Sequence, residues 1–94
     1  MVIMNCWYKT KPGMVGKMAE EIIAENVQAD FRKQPGNVCF NYSVAVGEED
    51  LLYLVDVWES VEAFEAHAKC DVIPRWTALK EKYVIDSGFE RYDA

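Results

Sequence analysis

His67 is the only histidine of the chain, and imidazole is the side chain whose ordinary pKa lies close to working pH. It stands three residues after Phe64, in a run that passes from the apolar strand Leu54-Val55-Asp56-Val57-Trp58 straight into the helical pattern Ser60-Val61-Glu62-Ala63-Phe64-Glu65-Ala66-His67. One corner of a sheet is thereby given an indole, a carboxylate and a base. These groups suffice for proton transfer in a dry, aromatic-walled pocket, with His67 as the proton acceptor and Trp58 as a wall of the pocket. The structural alternatives are a histidine hydrogen-bonded at the helix–sheet seam and a tryptophan anchoring the turn into the helix.

Further residues bear on the same pocket. Asp56 shares a strand face with Leu54 and Trp58, and a carboxylate inside an apolar strand needs a partner. It either orients His67 or pairs with an arginine across a dimer. Tyr8 and Tyr42 pattern as core, and a hydroxyl turned toward the helices is placed to hydrogen-bond a ligand oxygen. Phe64 lies on the inward stripe with His67, and Trp76 either packs or lines the cavity. Cys6, Cys39 and Cys70 have no base near them in sequence and read as small apolar fillers. A thiol nucleophile requires folding to bring Cys6 or Cys70 to His67.

Other function classes lose ground on composition. No glycine-rich loop follows a strand and no Cys or His pair has ligand spacing, so the expected mechanism uses no cofactor and no metal. The net charge of −6, with no basic cluster beyond Arg32-Lys33, makes nucleic acid a poor partner. Three cysteines at irregular spacing argue against a disulfide framework and for a reducing, cytoplasmic setting. No apolar run approaches the ~20 residues of a membrane span, and Met1-Val2-Ile3-Met4-Asn5 has no signal-peptide character.

The elements that must position these groups follow from periodicity. Val2 to Thr10 is a strand with bulky groups on both faces, closed by Lys11-Pro12-Gly13. Val15 to Arg32 reads as one helix, with Val15, Met18, Ala19, Ile22, Ile23, Val27 and Ala29 inward and Pro35-Gly36 as its stop. Val38 to Val46 and Leu51 to Trp58 form a hairpin around Gly47-Glu48-Glu49-Asp50. Ser60 caps a helix reaching about Lys69, and Asp71 with Pro74 implies a break and restart. Ile73, Trp76, Thr77, Lys80 and Tyr83 share one stripe of the second part. Val84 to Tyr92 closes the domain, with Gly88 as a bulge.

The order βαββαβ implies one ferredoxin-like α+β domain over residues 1–94, an antiparallel sheet with its helices on one face. The chain is 51% apolar and 13% aromatic, rich for a body that buries only about 60–65% of its unfolded surface. The surplus is expected both to line a cavity for a small aromatic or apolar ligand and to close the bare sheet face against a second copy.

Three landmarks resemble the antibiotic-biosynthesis monooxygenase family. Lys9-Thr10-Lys11-Pro12-Gly13 is similar to the end of its first strand, and Lys33-Gln34-Pro35-Gly36-Asn37 to its helix-to-strand turn. Trp58-Glu59-Ser60 through Ala66-His67 is similar to its third-strand signature. The resemblance implies a dimeric α+β barrel. It also implies cofactor-independent oxidation of a quinol or polyphenol, although this scaffold hosts several chemistries. Relatives that oxidise phenolic polyketides carry an asparagine where this chain has Leu54. Quinol-oxidising relatives carry a second histidine where Cys70-Asp71-Val72-Ile73 stands. The haem-degrading branch uses positions held here by Cys6, His67 and Thr77, none of which matches, so the haem reading loses most. A non-catalytic dimeric ligand-binding module and a proton-transfer isomerase are the competing functions.

Overall fold

In the computed structural model, which describes residues 1–94, eight elements follow one another. They are β1 (Val2–Thr10), α1 (Val15–Ala24), α2 (Val27–Arg32), β2 (Asn37–Val44), β3 (Leu51–Trp58), α3 (Val61–Ala68), α4 (Ile73–Tyr83) and β4 (Val84–Asp93). The four strands pair antiparallel in the order β2-β3-β1-β4. This is the expected ferredoxin-like arrangement. Strand alternation sends Val2, Met4, Cys6, Tyr8 and Thr10 of β1, with Leu52, Leu54, Asp56 and Trp58 of β3, to the buried side. Met18, Ile22, Val27, Phe31, Trp76, Leu79 and Tyr83 close over them from the helices.

The first helix is not continuous. Asn26 adopts the left-handed conformation at φ 54°, which asparagine tolerates better than most side chains, and α2 starts afresh after it. The break re-aims the inward stripe: Val27 and Phe31 are fully buried, whereas Ile23 is 70% exposed and Ala29 also faces out. Arg75 of α4 fastens the break from outside. It donates to the Glu25 carbonyl at 2.6 Å and to Asp30 Oδ2 at 2.7 Å. The second helical region breaks where expected, with Pro74 in the first turn of α4.

Two strand details also differ from expectation. β2 stops at Val44, leaving Ala45 and Val46 to the turn, and Val38 falls in a register shift between Asn37 and Cys39. In β4 the irregularity lies at Ile85, between the pairs Lys9↔Asp86 and Thr10↔Val84, and not at Gly88. Gly88 has another reason to be glycine. It faces Trp7, and a Cβ there would sit 2.6 Å from the indole ring, so the ring lies flat on bare backbone.

Helices cover one face of the sheet only. The other presents half-buried Ile3, Trp7, Tyr53 and Val57 and exposed Asn5 and Val55. Trp7 is therefore not covered twice within one chain.

Candidate functional site

A cavity of about 210 Å³ opens between the sheet and the last two helices. Its floor is Met4, Cys6 and Tyr8 of β1 with Leu54 and Asp56 of β3, and its walls include Phe64 and His67 of α3 and Trp76 and Lys80 of α4. The register explains the floor: Met4 and Phe40 flank Asp56 on the neighbouring strands. The carboxylate is therefore bedded in apolar surface at the centre of the sheet. α3 delivers His67 because Ser60 Oγ accepts the Ala63 amide at 3.1 Å, fixing where the helix begins.

Asp56 is 3% exposed, and its one partner is the Trp58 indole, whose Nε1 donates to Oδ2 at 2.8 Å. Burial raises its pKa to about 6, against the opposing pull of that hydrogen bond. The carboxylate bonds neither His67 nor an arginine within the chain. Trp58 itself is fully buried. It stands one layer behind the cavity and acts on it through Asp56 and His67.

The His67 ring stacks on Trp58, with centroids 4.4 Å apart and planes at 23°, and lies edge-on to Phe31 at 4.9 Å. Its Nδ1 is 3.2 Å from Gln34 Oε1. A carbonyl oxygen can only accept, so Nδ1 carries the proton and Nε2 keeps a free lone pair. Desolvation lowers the His67 pKa to about 4. The imidazole is thus neutral at pH 7 and a weaker base than Asp56, the reverse of the order their ordinary values give. The same ring borders an outer cleft containing Gln34, Glu59, Glu62 and Cys70, so His67 touches both the inner cavity and the outside.

Tyr8 meets Trp76 edge-to-face at 5.1 Å, and its hydroxyl is pushed well above the ordinary tyrosine range, first by burial and then by Cys6 beside it. Burial, with Asp56 nearby, raises the Cys6 thiol to about 11. The thiolate is suppressed, and Cys6 is a filler, as its pattern implies. Tyr42 stays out of the cavity wall. Its ring packs 5.2 Å from Trp76, and its buried hydroxyl has no hydrogen-bond partner. No three His, Cys, Asp or Glu side chains converge as metal ligands.

Two polar residues escaped the sequence reading as site residues: Gln34, which holds His67 from the outer cleft, and Lys80 on the cavity wall. Gln34 carries no pattern that marks it. Lys80 did leave a signal: a lysine on the apolar stripe of Trp76 and Tyr83. It lines the cavity with its ammonium 5.5 Å from the Trp76 ring centroid.

Residues 1–79 match the family model described as antibiotic biosynthesis monooxygenase. The chain belongs to this family. No curated protein matches it. Among solved structures, a Pseudomonas aeruginosa protein superposes with TM-score 0.85 at 16% identity, covering 99% of this chain and 92% of its own. A protein of Nitrosomonas europaea, named provisionally as an antibiotic biosynthesis monooxygenase, gives 0.86 at 13%, covering 100% and 98%. A Caulobacter crescentus protein with the same provisional name gives 0.86 at 16%, covering 99% and 88%. At such identities the likeness is one of fold. No helix of this antibiotic biosynthesis monooxygenase domain is long and apolar enough to cross a membrane.

Proposed function

We propose that this protein is a cofactor-independent monooxygenase, oxidising a small quinol or polyphenol with dioxygen as a homodimer. The observation that carries the reading is an apolar cavity holding two proton-accepting groups, Asp56 and a neutral His67, beside aromatic walls. Asp56 takes the phenolic proton, since a pKa near 6 suits a base working near neutrality. His67 Nε2 accepts a hydrogen bond from the second hydroxyl and orients the ring. The anion passes one electron to dioxygen, and the resulting radicals combine to form a carbon–oxygen bond. Asp56 returns its proton to the peroxide, water leaves, and a ring C–H has become a carbonyl: phenol and dioxygen give quinone and water. Trp58 holds Asp56 in place through its indole N–H, and Tyr8 donates to a substrate oxygen.

The dimer is supported by the uncovered sheet face, where Trp7, Tyr53 and Val55 lie together without a helix above them. The three free thiols support a reducing, cytoplasmic setting.

The test is oxygen uptake with a panel of quinols. Wild type consumes oxygen faster than autoxidation. Asp56→Asn lowers kcat by about 10²-fold or more, and His67→Ala lowers it less. Uptake at the autoxidation rate for every quinol sinks the oxidase. Solvent proton exchange into a bound phenol without uptake identifies an isomerase instead, and binding with neither identifies a ligand-binding module.

A further inference from the structure

Lys80 is the only cation on the wall of the cavity. No carboxylate lies within ion-pair distance of it, and its ammonium makes no hydrogen bond. It is half-buried, turned over the face of Trp76. The titratable groups that share the cavity with it are Cys6 and Tyr8 from β1, Asp56 from β3 and His67 from α3. Cys6, Tyr8 and His67 are neutral near pH 7, and Asp56, the one anion of the cavity, hydrogen-bonds the Trp58 indole and is not within ion-pair distance of Lys80. A lysine laid over an indole face with none of its three donors bonded to the protein keeps them open to a ligand. An anion entering the cavity would complete the set. The volume of about 210 Å³ suits one substituted aromatic ring, since benzene fits a cavity of about 150 Å³.

We propose that Lys80 is an anion-recognising residue, holding the phenolate oxygen of a single-ring ligand whose ring packs between Trp76 and Phe64. The proposal rests on the reading of this cavity as the substrate site and adds the ionic form in which the substrate is bound. The cavity selects acidic phenols over neutral rings of the same shape. With the anionic oxygen tied to Lys80 after Asp56 takes its proton, the second hydroxyl at the far end of the ring is presented to His67.

The probe is 4-nitrophenol, whose visible absorbance reports its ionisation, with 4-nitroanisole as the neutral isostere. Both are titrated under argon, so no turnover is needed. Wild type binds the phenolate at least tenfold tighter than the phenol, which lowers the apparent pKa of the bound probe by about one unit. Lys80→Met loses this preference while binding 4-nitroanisole within about twofold of wild type, and Lys80→Arg retains it. The proposal is overturned by a wild type that fails to bind 4-nitrophenol or shows no preference for its anion. It is equally overturned if Lys80→Met keeps the preference, or loses the anisole as well. A phenolate preference without oxygen uptake on any quinol leaves this site standing and removes the oxidase. Oxygen uptake by a wild type that shows no phenolate preference, unchanged in Lys80→Met, does the opposite.

Discussion

At the scale of single residues the cavity is governed by what burial does to two titrations of opposite sign. Asp56 has its pKa raised to about 6 from an ordinary 3.8. Between those values the native state holds a proton that the unfolded chain has lost, so stability falls as pH rises. His67 has its pKa lowered to about 4 from 6.5. Over that window the unfolded chain holds the extra proton, and stability rises with pH. The two slopes cancel between about pH 4 and pH 6. Removing either group should unmask the other: Asp56→Asn gains about 1–2 kcal/mol of stability with rising pH across this range, since the half-buried His67 is partly screened by solvent, and His67→Gln loses up to about 3 kcal/mol. Urea unfolding of wild type and both variants at pH 4.5 and pH 7.5 checks this. Parallel pH dependence in all three would mean the groups are not buried in this way. Asp56→Asn is also expected to be more stable than wild type at pH 7.5, because an uncharged amide can still accept the Trp58 N–H. The buried carboxylate is thus held at this position against a stability cost.

At the scale of elements, the site depends on how β2 and α3 meet. Gly36 precedes β2 at φ +81°, and a Cβ there would lie 2.5 Å from Ala63 Cβ on α3. Its carbonyl accepts the Glu59 amide at 2.8 Å, so the same residue fixes the chain just ahead of the Ser60 cap. Left-handed backbone and close approach both call for glycine here. Gly36→Ala should destabilise by about 1–3 kcal/mol and displace α3, weakening binding of 4-nitroanisole in the cavity. The double variant Gly36→Ala with Ala63→Gly relieves the collision and leaves the backbone strain, so it should recover part of the loss by thermal unfolding. Full recovery, or none, would show that only one of the two causes operates.

At the scale of the whole molecule, one face of the sheet has no cover. Val55 lies at its middle, paired to Asn5 on one side and Asn41 on the other, and is 38% exposed. A domain this small gains much from closing such a face against a copy of itself. Sedimentation should give about twice the 10.8 kDa of one chain, and Val55→Glu should return the monomer, since a charge buried between sheets without a partner is costly. Wild type sedimenting as one chain at micromolar concentration would refute the dimer.

The letters alone determined the order of strands along the chain, the hairpin, the Ser60 cap and the break before α4, though not the break at Asn26, because each rests on a local signal: alternation, a hydroxyl at a helix start, a proline in a first turn. They also placed His67, Asp56 and Phe64 in one neighbourhood, since all three lie within a single strand-to-helix run. Only the tertiary structure decided what each does there. Asp56 turned to its own near neighbour Trp58, Trp58 receded behind the wall, and Gly88 proved to be a seat for Trp7. Lys80 joined the cavity from a helix distant in sequence. The physical reason is desolvation. How much water a carboxylate, an imidazole or an ammonium loses depends on which surfaces close over it, and those surfaces come from strands and helices that the sequence does not set side by side.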